Sequence, residues 1–365
     1  MSQSFLNVLD FGAVGDGQVD DTAAFQKALD AAGEIRGGVH VPPGEYALSR
    51  LKVHSQTALV GDPTWSYRAP GGAVLRLVDR QAPCLLDLTN SVGVTLDGLS
   101  LAGWLTWGDL DHPDRLGGAC GILFGQEQQN REEDMCRIER CRVCNFPGEA
   151  IRMRFIWCWT VRHCHLFGNG GHGIWAEGFD GFALDNWISG NAGAGIYTAR
   201  CGACTTITGN RIEWNRQGGV NLTGCKHYQL TGNFIDRSGG PGIWLRSSEQ
   251  RTSEVFAITG NIIWRSGRPE WTGPDGHQSS QVLFEDTWGI AFTGNSLNVW
   301  RDDGPRGRFS PRFGIVYRHL ESSVIKDNAL HDGALEQLVV DLGGHGPGVI
   351  VGDNPGRLFD PKAHG

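Results

Sequence analysis

The sequence predicts an all-β solenoid, a single-stranded parallel β-helix with three short strands per turn and a helical cap at its N-terminus. Three observations support this fold class: a recurring asparagine, short β-type runs broken by glycine and asparagine, and 54 glycines among 365 residues. This glycine usage is about twice the average of roughly 7%, and it lacks the three-residue period of collagen. The glycines are therefore expected to mark many turns.

The asparagine recurs at a fixed place in short segments from the middle of the chain onward. Segments such as ITGNRIEWN, LTGNFIDRS and ITGNIIWRS contain it, and the series is Asn186, Asn210, Asn233, Asn261, Asn295, Asn328 and Asn354. Successive spacings are 24, 23, 28, 34, 33 and 26 residues, and a core period near two dozen residues is typical of solenoids. Leucine-rich repeats share this period, but their L-x-x-L-x-L pattern is missing. We predict stacked turns about 4.7 to 4.9 Å apart, with the asparagines forming a hydrogen-bonded ladder.

The N-terminal region differs in kind from the repeats. Two aspartates precede an amphipathic run from about residue 22 to residue 32, in which Phe25, Leu29 and Ala32 fall near helical spacing. A solenoid needs its open end covered, because an exposed first turn presents unpaired edges and apolar surface to solvent. We predict two regions: residues 1–60 as the cap with the first turn, and residues 61–365 as one continuous β-helix.

An N-terminal signature adds a specific resemblance. It consists of Asp10-Phe11-Gly12-Ala13, Gly15-Asp16-Gly17, Asp20-Asp21-Thr22, Gln26, Gly37-Gly38 and Pro42-Pro43-Gly44-Glu45-Tyr46. In these residues the chain resembles the pectate-lyase-like superfamily, which includes polygalacturonase-type hydrolases, polysaccharide lyases, alginate epimerases and phage tailspikes. The resemblance implies a right-handed parallel β-helix and an oligo- or polysaccharide ligand. It does not choose the reaction, because one fold hosts many functions.

Charge and hydropathy argue against two other classes of partner. The net charge is −8 and no run is rich in lysine and arginine, so the electrostatic footprint of a nucleic-acid-binding protein is missing. No stretch approaches the roughly 20 apolar residues of a membrane span. The first residues also lack a basic segment followed by an apolar one. We therefore expect no nucleic-acid or membrane partner and a cytoplasmic location, with export by another route left open.

The cysteines have two interpretations. The C-x-x-C pairs are Cys141/Cys144 and Cys201/Cys204, and Cys225 and His227 follow the second pair. Cysteine and histidine are zinc ligands, but cysteine is also among the residues most often buried. We favour small buried side chains at turns, with no metal, and the zinc alternative stays open at this point.

A second strand, usually opened by glycine, lies about a dozen residues before most ladder asparagines. Examples are GIWAE (173–177), GIYTA (195–199) and GIWLR (242–246). Because side chains alternate across a strand, two outward columns follow. The first column carries Leu123, Arg152, Trp175, Tyr197, Asn221, Trp244, Leu283, Val316 and Val339, and the second carries Gly125, Arg154, Glu177, Ala199, Thr223, Arg246, Glu285, Arg318 and Asp341.

These columns contain the predicted substrate-binding residues. Aromatic rings on an outer face suit stacking on sugar rings, which favours Trp175, Tyr197 and Trp244. Arginines can grip a carboxylate or sulfate with two hydrogen bonds, which favours Arg154, Arg246 and Arg318. The alternatives are aromatic side chains packed beneath loops and charges that are only solvated.

Two long insertions, residues 265–280 and 301–312, precede neighbouring outward strands. Long insertions in a solenoid map to one face, often the binding face. They bring Glu270, Trp271, Asp275, His277, Asp302, Asp303 and Arg306 toward the column of Arg246, Glu285 and Arg318. We add Trp271 to the substrate-binding set. The predicted catalytic residues are Asp303 or Asp302 opposite Glu285, His277 assisting, and Glu177 as a further acid or base.

The reaction favoured from these residues is glycoside hydrolysis, in which one carboxyl group protonates the leaving oxygen and another acts as base or nucleophile. A competing carboxylate pair is Glu213 with Asp236, each three residues after a ladder asparagine. The polygalacturonase residues cannot be carried over, because Gly171-His172-Gly173 comes well before Asp302-Asp303 and no Asn-Thr-Asp motif is present.

Other reactions remain open. A polysaccharide lyase would remove a proton with an arginine- or lysine-like base beside a uronate carboxylate that Arg246 and Arg318 neutralise, and calcium is a cofactor option for a lyase only. An epimerase acting on a uronate glycan is a related alternative. Intramolecular fructosyl transfer is a further alternative. The non-enzymatic alternative is a glycan-binding, tailspike-like fibre protein, for which we expect a homotrimer.

Overall fold

The computed structural model describes residues 5–106, 118–200, 204–268, 276–299 and 310–360. The chain divides into two compact units, Met1–Trp187 and Ile188–Gly365, and each is considered by itself. One α-helix and one 3-10 helix accompany the strands in the described residues, and neighbouring strands of each sheet pair in parallel. The predicted all-β architecture of parallel strands is confirmed.

The first unit contains both helices. The 3-10 helix is Val8–Phe11 and α1 is Thr22–Ile35. Strands β1 to β16 are, in order, Leu6–Asn7, Asp16–Asp20, Gly38–Val41, Gly44–Leu48, Leu51–Lys52, Ala58–Gly61, Ala73–Leu77, Cys84–Asp87, Thr95–Asp97, Ser100–Ala102, Cys120–Gly125, Cys136–Glu139, Arg142–Cys144, Ile151–Arg162, His165–Phe167 and Ile174–Leu184. Strand β17, Trp187–Ser189, lies at the boundary.

The second unit is built from strands alone in its described residues. Strands β18 to β33 are, in order, Ala194–Ala199, Thr205–Thr208, Arg211–Glu213, Gly218–Thr223, Lys226–Thr231, Phe234–Asp236, Ile243–Arg246, Ser253–Thr259, Ile262–Trp264, Ser280–Glu285, Thr287–Thr293, Ser296–Asn298, Phe313–Arg318, Val324–Lys326, Gln337–Asp341 and Ile350–Gly352. They form three faces. The first face is β18, β21, β24, β27, β30 and β32; the second is β19, β22, β25, β28, β31 and β33; the third is β20, β23, β26 and β29. Three strands per turn are therefore confirmed.

Helix α1 is the predicted cap. Phe25, Leu29 and Ala32 are fully buried, as the helical spacing of these residues predicts. The helix continues to Ile35, three residues beyond the predicted end, and Arg36 follows in the left-handed conformation that closes many helices.

Five of the six first-face strands, β18, β21, β24, β27 and β30, each contribute one side chain to a row in the interior of the second unit. These side chains are in register and fully buried: Ile196, Val220, Ile243, Val282 and Ile315. Burying one such side chain contributes about 1.5–3 kcal/mol. The inward half of the predicted alternation is confirmed for these strands.

The predicted phase is wrong in the last strand of this face, β32. Val339 lies opposite Ile315, Val340 opposite Val316, and Asp341 opposite Tyr317. The strand is therefore shifted by one residue, and a one-residue shift moves every side chain to the other side of the sheet. Val339 and Asp341 do not extend the outward columns.

The asparagine ladder is confirmed in the second unit. Each side-chain amide donates to the amide oxygen one turn on, at 2.9 Å for the five steps Asn210–Asn233, Asn233–Asn261, Asn261–Asn295, Asn295–Asn328 and Asn328–Asn354. The residue before the asparagine adopts a positive φ, as at Gly232 (64°) and Gly260 (67°). Glycine suits this conformation because it has no Cβ, which explains the repeated T-G-N string.

Replacing Asn261 by alanine is expected to destabilise the fold by about 3 kcal/mol or more. The change removes the oxygen that accepts from the Asn233 backbone N–H and the amide that donates to the Leu230 carbonyl, and each such loss costs about 1–3 kcal/mol. The urea midpoint of unfolding measures the effect. Gln229→Ala, at an exposed position of the second face, is the control, and an equal shift in both variants would contradict the assignment.

A buried histidine in the first unit gives the fold an acid sensitivity. His165 packs against Tyr67 and Phe167 with ring centroids 4.6 and 4.4 Å apart. Burial, aided by the charge of Arg142, lowers the pKa of His165 from 6.5 to about 3. The folded chain therefore keeps this imidazole neutral at pH values where the unfolded chain protonates it.

Stability is expected to fall as the pH drops from 6.5 toward about 3, because the unfolded chain binds the extra proton in this window. His165→Phe should flatten that dependence while keeping an aromatic ring in place. Urea midpoints measured at several pH values in the window test this. The exposed His331, changed to glutamine, should leave the slope unaltered, and a slope that persists in His165→Phe would rule out the buried imidazole as its source.

Candidate active site on the first face

The two outward columns are present on the first face of the second unit. Tyr197, Asn221 and Trp244 are in register on β18, β21 and β24. The second column places Arg246 next to Glu285, and Glu285 next to Arg318. Because consecutive turns are about 4.7 to 4.9 Å apart, the side chains within each column are neighbours.

A pocket of about 360 Å³ opens on this face. Its lining residues are Tyr197, Arg216, Gln217, Asn221, Gly240, Trp244, Arg246 and Gln278. The strands supply Tyr197, Asn221, Trp244 and Arg246, and the turns between strands supply the others. A concave site with aromatic walls and a few polar groups is the usual form of a small-ligand site.

Asn221 provides a buried acceptor in this pocket. The residue is only 5% exposed, and its Nδ2 donates to the Gln217 carbonyl at 3.1 Å, which sets the orientation of the amide. Within the described residues its Oδ1 has no hydrogen-bond partner. Gly218 leaves room for this oxygen, since a Cβ there would lie 2.6 Å from it. A ligand hydroxyl would relieve the cost of the unsatisfied acceptor.

Arg246 provides the cationic group. Its Cζ lies 4.0 Å from the Trp244 ring centroid, and its Nε donates to Thr223 Oγ1 at 3.0 Å. The two contacts hold the guanidinium plane, while its terminal amino groups make no hydrogen bond to any described residue. A guanidinium presented in this way can bind a carboxylate through two hydrogen bonds.

Glu285 has both oxygens engaged. Its Oε1 accepts from Arg318 Nη2 at 2.7 Å, and its Oε2 accepts from the Trp244 indole N–H at 2.7 Å. Its side chain is 13% exposed. In this arrangement Glu285 positions Trp244 and neutralises Arg318.

Beyond Trp244, on strands β27 and β30, the first column is closed to solvent. Leu283 and Val316 occupy outward positions yet are 1% and 0% exposed, because they form an apolar cluster with Phe313 and Val340. Trp244 and Leu342 pack against the edge of this cluster. From Leu283 onward the side chains of the column are therefore packed into this cluster, and the open part of the column ends at Trp244.

The remaining predicted site residues are not among the pocket residues named above. In the first unit, Arg154 and Glu177 are in register with Nε and Oε2 4.0 Å apart, and Trp175 lies next to Arg152. In the second unit the His277 ring lies 5.8 Å from the Phe313 ring. Asp302, Asp303 and Trp271 lie outside the described residues, as do Glu270, Asp275 and Arg306.

The competing carboxylates Glu213 and Asp236 are in register on the third face. Asp236 is fully buried and forms ion pairs with Arg237 and with the equally buried Arg265, 3.4 Å away. Burial raises the pKa of the Asp236 carboxyl, and the two arginines oppose this. A carboxylate closed off from solvent in this way serves packing, since no substrate reaches it.

Sequence reasoning missed the turn residues of the pocket: Arg216, Gln217, Gly240 and Gln278. It placed Asn221 in the right column but gave it no role. The available signal was the position of a short amide between two aromatic residues of one column. No periodic signal marks the turn residues, because turns vary in length from one repeat to the next.

No group of three or more histidine, cysteine, aspartate or glutamate side chains is placed to hold a metal ion within the described part of the chain. Cys225 is buried, with its Sγ 3.2 Å from Thr198 Oγ1, whereas Cys204 is exposed. Cys201 lies outside the described residues. None of the helices described is long and apolar enough to cross a membrane.

Comparison with known proteins identifies two family matches. The family described as rhamnogalacturonase A/epimerase, pectate lyase-like, matches residues 5–71, and the right-handed beta helix region matches residues 149–296. Mannuronan C5-epimerase AlgE1 of Azotobacter vinelandii is 32% identical over 251 residues, covering 65% of this chain and 16% of the epimerase. Alginate lyase 7 of the same organism is 29% identical over 199 residues, covering 51% of this chain and 22% of the lyase.

The chain spans about a quarter or less of the length of the first three epimerases it matches. Among solved structures, the DFA-IIIase of Arthrobacter chlorophenolicus A6 without its lid is similar, with a TM-score of 0.65 and 15% identity. The match covers 98% of this chain and 99% of that one, and at this identity it shows the fold alone. The resemblance to the pectate-lyase-like family is therefore confirmed for residues 5–71, and residues 149–296 match the right-handed parallel β-helix.

Proposed function

We propose that this protein is a carbohydrate-modifying enzyme that acts on an acidic polysaccharide in the first-face pocket, by removing the proton beside a uronate carboxylate. The observation that carries the proposal is Arg246, whose guanidinium is held over Trp244 with its terminal amino groups directed to no described residue. Relatives named as mannuronan C5-epimerases and an alginate lyase support an acidic glycan.

The chemistry follows from the residues of the pocket. A carboxylate bound by Arg246 can accept the negative charge that develops when the C5–H bond breaks, because a fixed cation stabilises that charge in the transition state. Among the described residues that line the pocket, Tyr197 is the one titratable side chain that is not an arginine. Its side-chain oxygen is therefore our candidate for taking the C5 proton, as the phenolate, and for passing it on, as the hydroxyl.

Two outcomes share this first step. In elimination, the C5–H electron pair forms the C4–C5 double bond, the C4–O bond to the next sugar breaks, and the leaving oxygen takes a proton. In epimerisation, a proton returns to C5 from the opposite side of the ring and no glycosidic bond breaks. Both outcomes need the neutralised carboxylate and a group that takes the C5 proton; epimerisation also needs a proton donor on the opposite side of the ring, a role that water can fill.

Hydrolysis makes a different demand on the site, because it requires two carboxyl groups flanking the glycosidic bond. On the first face Glu285 has both oxygens engaged, and the predicted partners Asp302 and Asp303 lie outside the described residues. The engagement of both Glu285 oxygens therefore favours proton removal from a bound uronate over the hydrolysis predicted from the sequence.

A glycan panel tests the proposal with the full chain. Polyuronates, fructans and neutral polysaccharides are incubated in D₂O, and three products are followed: unsaturated sugars by absorbance, deuterium at C5 by NMR, and new reducing ends. We expect unsaturation or deuterium uptake on polyuronates alone. New reducing ends without either signal would replace the proposal by hydrolysis.

The homotrimer, the cytoplasmic location and the calcium dependence of a lyase remain predictions. Light scattering of the purified protein gives the oligomeric state, and activity with and without a chelator gives the metal requirement.

A further inference from the structure

We infer that the first-face pocket receives the terminal sugar ring of the glycan, so that the protein works from a chain end. This inference rests on the proposed function and adds to it the position along the polymer at which the enzyme acts. It stands on three features of the described residues: an aromatic slot, a buried polar floor and a closed wall.

The slot is formed by Tyr197 and Trp244, which lie two turns apart in one column with Asn221 between them. Two turns separate the strands by about 9 to 10 Å. Side chains stand roughly perpendicular to a sheet, so the two rings border a recess above the shorter Asn221. A space of this height accommodates one sugar ring between two aromatic side chains.

The polar floor of the pocket is the Asn221 side chain, and a sugar ring must enter deeply to contact it. The Asn221 Oδ1 is buried and lacks a hydrogen-bond partner among the described residues. A sugar reaches it only by entering edge first and donating one hydroxyl hydrogen. Gln217, which accepts from the Asn221 amide, prevents the amide from turning to offer a donor instead.

The wall closes the column beyond the slot. Leu283 and Val316 are covered at the next two positions, so no further sugar can occupy them. The 2.7 Å hydrogen bond from the Trp244 indole to Glu285 holds the rim of the wall in place. A ring seated in the slot therefore has a neighbouring sugar on one side only, which defines a chain end.

The experiment locates the first modified residue in a uronate oligosaccharide of defined length. One sample is reduced at its reducing end, and a second carries a blocking group at its non-reducing end. We expect modification to start at one terminal residue and to stop when that end is blocked. Early modification at internal residues, insensitive to both blocks, would overturn the inference and leave the proposed function standing.

Variants of the slot provide a second measurement. Asn221→Ala should raise KM about tenfold, the effect of losing one hydrogen bond of about 1.4 kcal/mol. Trp244→Ala should weaken binding at least as much and should let internal residues react, since it removes the rim of the wall. Trp288→Ala, at an exposed tryptophan of the second face, is the control. A Trp244→Ala enzyme that still modifies terminal residues alone would contradict the role of the wall.

The two proposals fail in different ways. If no polyuronate is bound or modified but another glycan is, the proposed function is wrong, and the same end-blocking test on that glycan decides the inference. If no glycan of the panel is bound or modified, both are overturned.

Discussion

Replacing Arg246 by alanine is expected to lower kcat/KM on polyuronates by about two to three orders of magnitude. Truncating one partner of a desolvated, hydrogen-bonded charge pair costs about 2–5 kcal/mol, and the bound carboxylate would lose this partner. The negative charge that develops on the carboxylate in the transition state would also lose the stabilising guanidinium. We therefore expect kcat to fall and KM to rise. Steady-state kinetics with the products described above measures both constants.

Arg246→Lys separates charge from geometry. Lysine keeps the positive charge but not the planar pair of donors or the stacking on Trp244, so activity should be restored only in part. Arg137→Ala, at an exposed position of the first unit, is the control and should keep full activity. If Arg246→Ala retained native kinetics, the carboxylate would have to bind elsewhere, and the proposed function would lose its main support.

Replacing Asp236 by asparagine is expected to destabilise the second unit by about 3–5 kcal/mol. The substitution keeps the shape of the side chain but removes the negative charge 3.4 Å from the fully buried Arg265, and removing one partner of a buried ion pair costs this much. The free energy of unfolding from urea titrations measures the effect, with each variant first checked for native secondary structure by circular dichroism.

Glu336→Gln is the matched control for this change. Glu336 also pairs with an arginine, Arg312, but both side chains are at least 40% exposed, so the loss should stay below about 1 kcal/mol. A double variant, Asp236→Asn with Arg265→Gln, removes the buried charge and should recover part of the lost stability. Equal losses in Asp236→Asn and Glu336→Gln would show that the third-face ion pair is not buried in solution.

The repeat alone accounts for most of the fold. Each ladder asparagine follows a residue with positive φ, as at Gly209 and Gly294, so the T-G-N string encodes a local turn that needs no distant contact. The alternation of inward Ile196 and Ile243 with outward Tyr197 and Trp244 is equally local, because the pleat sets it. Stacking identical turns then brings the columns into register.

The site was only partly predictable for the same reason. The column of Arg246, Glu285 and Arg318 follows from the repeat and is observed. The ion pair and hydrogen bond that occupy both Glu285 oxygens do not follow, since side-chain conformations decide them. The shift of β32 is also invisible in its sequence, QLVVD, where three consecutive apolar residues satisfy either phase.

Short-range periodicity in the sequence therefore accounts for the parallel coil, the helical cap and the two outward columns. The tertiary structure alone decided where the columns are open. The cover over Leu283 and Val316, the orientation of the Asn221 amide by Gln217 and the burial of Asp236 with Arg265 depend on chain segments that meet only after the turns have stacked. Contacts between such segments follow no repeat, and they are what turns a continuous column into a closed pocket.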